Sequence, residues 1–217
     1  MSAPFSTKQW YIQRAEPSEG YSILKLRRVL ALCCGLALSA CAGGPAPTTP
    51  AGVVRVAPDL TLTLPPPASL GRSLEATQLV TAHYGDQTYL FEGHFRADRR
   101  HLRLEGLDSM GRKAMTIDWS PAGIHADTAP WLPRQLRPEN MLADMVMLYW
   151  PPETVRAALA ASGGRLSVEP HRRVISDAKG PVIEARYSGD DPWNGRLVYR
   201  NLAWGYRLEI QSVESAP

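Results

Sequence analysis

The stretch that decides the fold is TYLFEGHFRADRRHLRLEGLDSMGRKAMTIDW, residues 88–119. Apolar and polar side chains alternate within it over residues 101–105 and 114–119, and residues 88–95 are a further strand candidate. Such alternation is typical of strands that bury one face. Turn-forming residues at 97–99 and 109–111 separate the three runs. The short spacing predicts consecutive antiparallel hairpins, with Met115, Ile117 and Trp119 on one face.

The pattern changes to helical spacing at residue 138. Apolar residues recur at helical intervals over residues 138–149, and Pro138 and Glu139 suit the first turn of a helix. Two prolines at 151–152 end this helix. A second short helix is predicted over 153–161, where Gly163 and Gly164 act as the stop signal.

Strand patterns resume after the helices. They occupy five segments: 165–168, 172–175, 182–187, 195–199 and 206–210. The sequence therefore predicts a mainly β (α+β) fold of four or five strands, a helical pair and about five further strands.

An export signal precedes this domain. Three Lys/Arg residues lie at 25–28, and the apolar run 29–38 that follows is too short to span a membrane, which needs about 20 residues. Leu38-Ser39-Ala40-Cys41 resembles the lipobox of bacterial lipoproteins. We predict that residues 1–40 are an N-terminal extension and signal peptide, cleaved between Ala40 and Cys41. Cys41 is then the lipid attachment site.

The residue after Cys41 bears on the location of the protein. In lipoproteins of enteric-type bacteria an Asp at this position commonly retains the protein in the inner membrane, and this chain has Ala42 instead. By that analogy we expect an outer-membrane lipoprotein, anchored by acyl chains such as palmitate, with its domain facing the periplasm. More than one acyl chain is needed for a stable anchor.

The composition of the chain from Cys41 onward limits its domain organisation and its partners. Residues 41–69 are predicted as a lipidated Pro/Gly-rich tether and residues 70–217 as the β-rich domain. From Cys41 onward the chain has 24 − 5 = 19 Lys/Arg and 21 − 2 = 19 Asp/Glu, hence no net charge. A neutral body argues against nucleic acid as a partner. The three cysteines, Cys33, Cys34 and Cys41, leave no disulfide framework or cysteine metal site in the domain.

The sequence contains no nucleophile elbow, phosphate loop, HExxH or CxxC motif. We therefore predict no catalytic residue, no metal site and no cofactor. The histidines are dispersed over separate predicted elements: His83, His94, His101, His125 and His171. Asp190-Asp191 is open to two interpretations, paired carboxylates or a capped turn, and the following proline favours the turn. Asp144 is interpreted either as a functional carboxylate or as an exposed helical position.

Several segments resemble a family of uncharacterised bacterial lipoproteins encoded beside fatty-acid-synthase-like genes for aryl polyene pigments. The matching segments are LEGL at 104–107, PENMLAD at 138–144, LYWP at 148–151, GDDPWNG at 189–195 and GYRL at 205–208. The overall arrangement is also similar to the lipoprotein-localisation factors LolA and LolB. The resemblance to the uncharacterised family covers most of residues 65–213 and brings no catalytic motif. The resemblance to LolA and LolB implies a curved sheet or unclosed half-barrel that holds acyl chains under a helical lid.

One set of apolar residues is the candidate cavity or lid. It consists of Leu102, Leu104, Met115, Ile117, Trp119, Met141, Leu142, Met145, Leu148 and Trp150. Methionine is flexible and suits surfaces that accept varied apolar partners. These residues either form an ordinary core or line a pocket of several hundred Å3 for an acyl chain.

Two functions remain open at this point. The first is a non-catalytic factor that binds or delivers a lipid or acyl chain, linked to aryl polyene lipid export. The alternative is a structural accessory lipoprotein that docks onto an envelope export or assembly complex. An enzyme such as a periplasmic hydrolase or acyltransferase is disfavoured by the missing motifs.

Overall fold

The computed structural model describes residues 52–132 and 136–215. Cys41, Ala40 and the predicted signal peptide lie outside this part of the chain. The strands of the first half are β1 (Val53–Ala57), β2 (Leu60–Thr63), β3 (Leu74–Tyr84), β4 (Gln87–Ala97), β5 (Leu102–Asp108), β6 (Lys113–Ser120) and β7 (Gly123–Thr128). The helices α1 (Pro138–Tyr149) and α2 (Pro152–Leu159) follow. The second half contains β8 (Arg165–Glu169), β9 (Arg172–Ser176), β10 (Pro181–Tyr187), β11 (Gly195–Asn201) and β12 (Tyr206–Ser215).

Ten of these strands form one antiparallel sheet. Its order is β7-β6-β5-β4-β3-β12-β11-β10-β9-β8, and β1 and β2 form a separate hairpin. The sheet consists of two five-stranded meanders that join where β3 pairs with β12, from Tyr84 opposite Tyr206 to Glu75 opposite Ser215. The two outer strands, β7 and β8, do not pair with each other, so the sheet is not closed into a barrel. The predicted unclosed half-barrel agrees with this arrangement.

The topology explains where the helices lie. The chain leaves the sheet at one edge, β7, and re-enters it at the opposite edge, β8. The connection must therefore cross the width of the sheet, and α1 packs on its inner face, where the hydroxyl of Tyr149 accepts a hydrogen bond from Gln78 on β3. Helix α1 begins with Pro138 and ends before Trp150, whose backbone is extended (ψ 157°) because a proline follows it.

The sheet, the two helices and the five strands of the second half were predicted from the sequence, and the structure confirms them. The three strands read from residues 88–119 correspond to β4, β5 and β6. Two strands of the ten-stranded sheet were not identified, β3 and β7. Both continue the antiparallel alternation, but polar residues such as Gln78, at a buried position of β3, and His125 of β7 dilute the apolar signal.

The predicted tether is wrong from residue 53 onward. Within the segment 41–69 the chain forms the β1–β2 hairpin and a 3-10 turn over Pro67–Leu70. Alternate residues of the hairpin are buried, among them Val54, Val56, Leu60 and Leu62. The Pro and Gly content suggested a mobile linker, but the alternation of Val and Leu provides an apolar face that packs on the helices.

One end of the inner face of the sheet is densely packed. We call it the filled end, and it consists of Leu74, Phe95, Leu102, Ile117 and Trp119 with Trp150 above them. All six side chains are buried. The rings of Trp119 and Trp150 lie 5.9 Å apart, and Phe95 lies 4.9 Å from Trp193 of the β10–β11 turn. Such aromatic pairs add to the burial energy of the core.

Candidate functional site

The other end of the same inner face borders a cavity of about 1100 Å3. We call this region the open end, and its wall on the sheet is formed by Val80, Ala82, Phe91, Tyr206 and Leu208. Helix α1 and strand β1 form the remaining walls. The volume is at the upper limit of the range of about 300–1,000 Å3 that is typical of small-molecule sites.

The ten predicted cavity or lid residues divide between the two ends. Five of them line the cavity: Leu104, Met115, Met141, Met145 and Leu148. The other five are fully buried core residues: Leu102, Ile117, Trp119, Leu142 and Trp150. For that second group the cavity interpretation is wrong. The spacing predicted that these residues face the interior, and the structure places them in the packed core instead of in the cavity wall.

A pair of glycines marks the boundary between the two ends. Gly93 on β4 lies directly opposite Gly106 on β5, and both line the cavity. A Cβ atom at Gly106 would lie 3.1 Å from Cγ of Met115, and one at Gly93 would lie 3.5 Å from Cδ1 of Leu104. Because neither glycine carries a side chain, the side chains of Met115 and Leu104 lie close over the backbone at this row. Glycines within a strand often mark such a place, where something else approaches the backbone.

Asp144 of α1 is a polar anchor in the cavity wall. Its Oδ1 accepts a hydrogen bond from the Tyr199 hydroxyl and its Oδ2 accepts one from the Tyr206 hydroxyl, both at 2.6 Å. The residue keeps some accessible surface, but protein atoms surround its carboxylate. Loss of hydration raises the pKa of Asp144 from 3.8 to about 6, although the two hydrogen bonds act in the opposite direction. Asp144 is therefore not an exposed helical position; it ties α1 to β11 and β12.

A second polar contact ties α1 to the middle of the sheet. The side-chain amide of Gln78 donates hydrogen bonds to the Tyr149 hydroxyl at 3.0 Å and to Oγ of Ser212 at 3.1 Å. Burial raises the pKa of Tyr149 to about 12, so its hydroxyl stays protonated. The ring of Tyr149 also stacks on Trp193 with centroids 4.1 Å apart. The helix is thus held to the sheet at two points, Asp144 and Tyr149.

The Asp190-Asp191 pair has a structural role. Oδ1 of Asp191 accepts a hydrogen bond from the backbone of Trp193, and its Oδ2 accepts one from the amide of Asn194, so the capped-turn interpretation of Asp190-Asp191 is confirmed. In residues 52–132 and 136–215, no group of three or more His, Cys, Asp or Glu side chains is arranged to hold a metal ion. Within the same residues no helix is long and apolar enough to cross a membrane.

Sequence reasoning missed the features that shape the cavity. Gly93 lies within the predicted strand 88–95, and Gly106 directly follows the predicted strand 101–105, which is a signal that could have been used. Tyr206 was read only as part of a strand, and its contact with Asp144 joins residues 62 positions apart. The sequence contains no local signal for such a pair.

An antiparallel sheet that stays open, with a helix across a cavity on its inner face, places this chain in the class of cavity-bearing half-barrel β proteins. The chain belongs to the family described as protein of unknown function DUF3261, whose model matches residues 75–214. This range begins one residue into β3 and ends one residue before the end of β12, so it covers the whole ten-stranded sheet and both helices. No curated protein matches the chain.

Proposed function

We propose that this protein is an outer-membrane-anchored periplasmic lipoprotein that binds an acyl chain and delivers it to the membrane without catalysing a reaction. In this proposal Cys41 carries the lipid anchor. The cargo belongs to the aryl polyene lipids whose gene clusters encode the lipoproteins that this sequence resembles.

The observation that carries the proposal is the cavity at the open end. Its walls include aliphatic and aromatic side chains from sheet and helix, such as Val80, Phe91, Met141, Met145 and Leu148. Transfer of a hydrocarbon chain from water into such a space is favourable by about 0.8 kcal/mol for each methylene group. Binding therefore needs no covalent step.

The architecture supports the same interpretation. LolA and LolB, which the chain resembles, hold acyl chains in an unclosed half-barrel under helices, and this chain has an open sheet with α1 across its inner face. The fixed position of α1 also favours a binding role for the cavity. Both carboxylate oxygens of Asp144 accept hydrogen bonds from tyrosines, so this acid holds the wall in place.

The direct test is native mass spectrometry of the chain from residue 41 onward, carrying Cys41→Ser so that no anchor is attached. We expect lipid to co-purify, and a fluorescent fatty acid to bind and to be displaced by unlabelled fatty acid. Ala82→Trp places an indole in the cavity and should weaken fatty-acid binding at least about tenfold, because it removes volume that the ligand needs.

Thr81→Trp is the matched control for this variant. Thr81 is the neighbouring residue on β3, and strand alternation points its side chain to the opposite face of the sheet. It should leave fatty-acid binding unchanged. A protein that purifies without lipid and does not bind the fatty acid contradicts the proposal, as does equal weakening by the two tryptophans.

The proposed anchor is tested separately. In cells of a suitable bacterium the full-length chain should incorporate labelled palmitate and fractionate with the outer membrane. Cys41→Ser should abolish both, because the modification requires a thiol. Recovery of the unsubstituted protein in the soluble periplasmic fraction would rule out the anchor while leaving the cavity proposal standing.

The alternative, docking onto an envelope export or assembly complex, has support from a different surface. The outer face of the sheet exposes three large apolar side chains, Leu79, Leu90 and Val213. Exposed apolar groups of this kind mark interaction sites when they cluster. A cross-linker placed at Leu79 should then capture a protein of the export or assembly complex in cells. That result, together with unsubstituted protein that purifies free of lipid, would favour this role over acyl-chain binding.

A further inference from the structure

The mouth of the cavity carries apolar side chains that face solvent. Val53 is 66% exposed, Tyr84 is 55% exposed and Trp204 is 43% exposed, and all three line the cavity. Leu202, 53% exposed, lies in the same β11–β12 turn as Trp204. We call these four residues the rim.

The rim residues come from three segments that the fold brings to one end of the sheet. Tyr84 at the end of β3 pairs with Tyr206 at the start of β12, directly after the turn that carries Leu202 and Trp204. The indole of Trp204 donates a hydrogen bond to the backbone carbonyl of Val56, which fixes β1 beside this turn. The fold therefore brings the segments that carry the rim residues to the same end of the sheet.

Charge and residue type indicate what the rim contacts. Arg55 and Arg137 are exposed and line the same mouth, and Glu139 lies near Arg137 with 3.8 Å between the closest charged atoms. Tryptophan and tyrosine prefer the boundary between hydrocarbon and headgroups, and arginine side chains extend to lipid phosphates. This combination suits a bilayer surface that contains anionic lipids.

The path of the chain supports the same orientation. Gly52, the residue before β1, also lines the cavity. Between it and Cys41 there are only 52 − 41 = 11 peptide steps, which extend at most about 40 Å. If Cys41 is lipidated, as the proposed function requires, the chain that follows the anchor enters the described domain at Gly52, beside the mouth.

We infer that the rim is a membrane-docking surface that seats the mouth of the cavity on a bilayer containing anionic phospholipid. Hydrocarbon chains then pass between bilayer and cavity without entering water. The role of the rim in acyl-chain transfer rests on the proposed function, but the binding of the rim to vesicles can be measured without any acyl-chain ligand.

The test uses the chain from residue 41 with Cys41→Ser, which contains every described element and has no acyl anchor. Flotation with vesicles of phosphatidylethanolamine and phosphatidylglycerol should show binding, and brominated acyl chains should quench tryptophan fluorescence. Tyr84→Ser combined with Leu202→Ser should weaken vesicle binding at least about tenfold, because each removes apolar surface from the contact.

A matched control is available on the outer face. Leu79→Ser combined with Leu90→Ser removes two leucines that are 57% and 56% exposed, similar to the two rim residues. This pair should leave vesicle binding unchanged. Arg55→Gln with Arg137→Gln should remove the preference for phosphatidylglycerol over phosphatidylcholine vesicles.

Three results would overturn the inference: no binding by the unanchored chain, equal loss in the rim and outer-face variants, or a dimer in solution that the rim variant dissociates. The last result would make the rim a contact between two copies. Fatty-acid binding in solution, measured without vesicles, separates the two proposals. If the protein binds fatty acid but not vesicles, only the membrane-docking inference is wrong. If it binds vesicles but not fatty acid, only the proposed acyl-chain binding is wrong.

Discussion

The filled end and the open end lie on the same sheet and face the same helix, yet side chains pack the first and a cavity occupies the second. At the filled end the inner positions carry Phe95, Leu102, Ile117 and Trp119, and Trp150 closes the space above them. Past the Gly93–Gly106 pair the sheet wall carries Val80, Ala82, Phe91 and Leu208, and hydrogen bonds of Asp144 and Tyr149 tie α1 to the sheet. The space between sheet and helix stays open there, whereas Trp150 fills it at the filled end.

The difference shows that strand alternation alone does not distinguish a core from a binding site. In both regions every second residue points inward, and in both most of those residues are apolar. Close packing at the filled end leaves little tolerance for lost volume. At the open end a side chain already borders empty space, so a change there affects ligand more than folding.

The largest expected effect is at the filled end. Trp119→Ala should lower the free energy of unfolding by about 3–5 kcal/mol, because it removes a fully buried ring and leaves a cavity against Trp150. Leu208→Ala at the open end should lower it by less than about 1.5 kcal/mol, since its site is only partly filled. Chemical denaturation measures both. Similar losses in the two variants would mean that the ends are packed alike.

The next effect is a dependence of stability on pH that originates at the open end. Because the pKa of Asp144 is raised to about 6 in the folded protein, the folded state binds its proton more tightly than the unfolded state does. The contribution of Asp144 to the free energy of unfolding is therefore greatest below about pH 4, and it declines as the pH rises to about 6. The full decline is at most about 3 kcal/mol.

Asp144→Asn should abolish this decline when unfolding is followed between pH 4 and pH 7. Asp127→Asn makes the same change of charge at an exposed residue of β7 and should preserve the wild-type profile. If the two variants give the same profile, the carboxylate of Asp144 is hydrated, and the tyrosines do not hold it in the wall of the cavity.

The smallest of the three effects is at the boundary between the two ends. Tyr149→Phe removes the hydroxyl that accepts a hydrogen bond from Gln78 but keeps the ring on Trp193, so it should cost about 1 kcal/mol. Tyr84→Phe, at an exposed tyrosine, should have almost no effect on unfolding. A loss above about 3 kcal/mol for Tyr149→Phe would indicate that this single contact, and not the packing of α1, holds the helix over the cavity.

Most of the secondary structure was predictable because its signals are local. Alternation in β5 and β6, the prolines around α1 and α2, and the glycines at 163–164 each act within a few residues. The β1–β2 hairpin was missed because its short apolar alternation stands between proline-rich segments. β3 was missed because its middle carries Gln78, whose partners Tyr149 and Ser212 are distant in sequence.

By itself, the sequence determined an antiparallel, mainly β chain with a helical pair in the middle, and it identified which face of each central strand is apolar. It also predicts a lipid anchor at Cys41, from a segment that resembles a lipobox. Only the tertiary structure decided which apolar residues fill the core and which border the cavity. The reason is physical: whether a space stays open depends on the summed volume of side chains from four or five segments and on contacts such as Asp144 with Tyr206, and no local pattern encodes that sum.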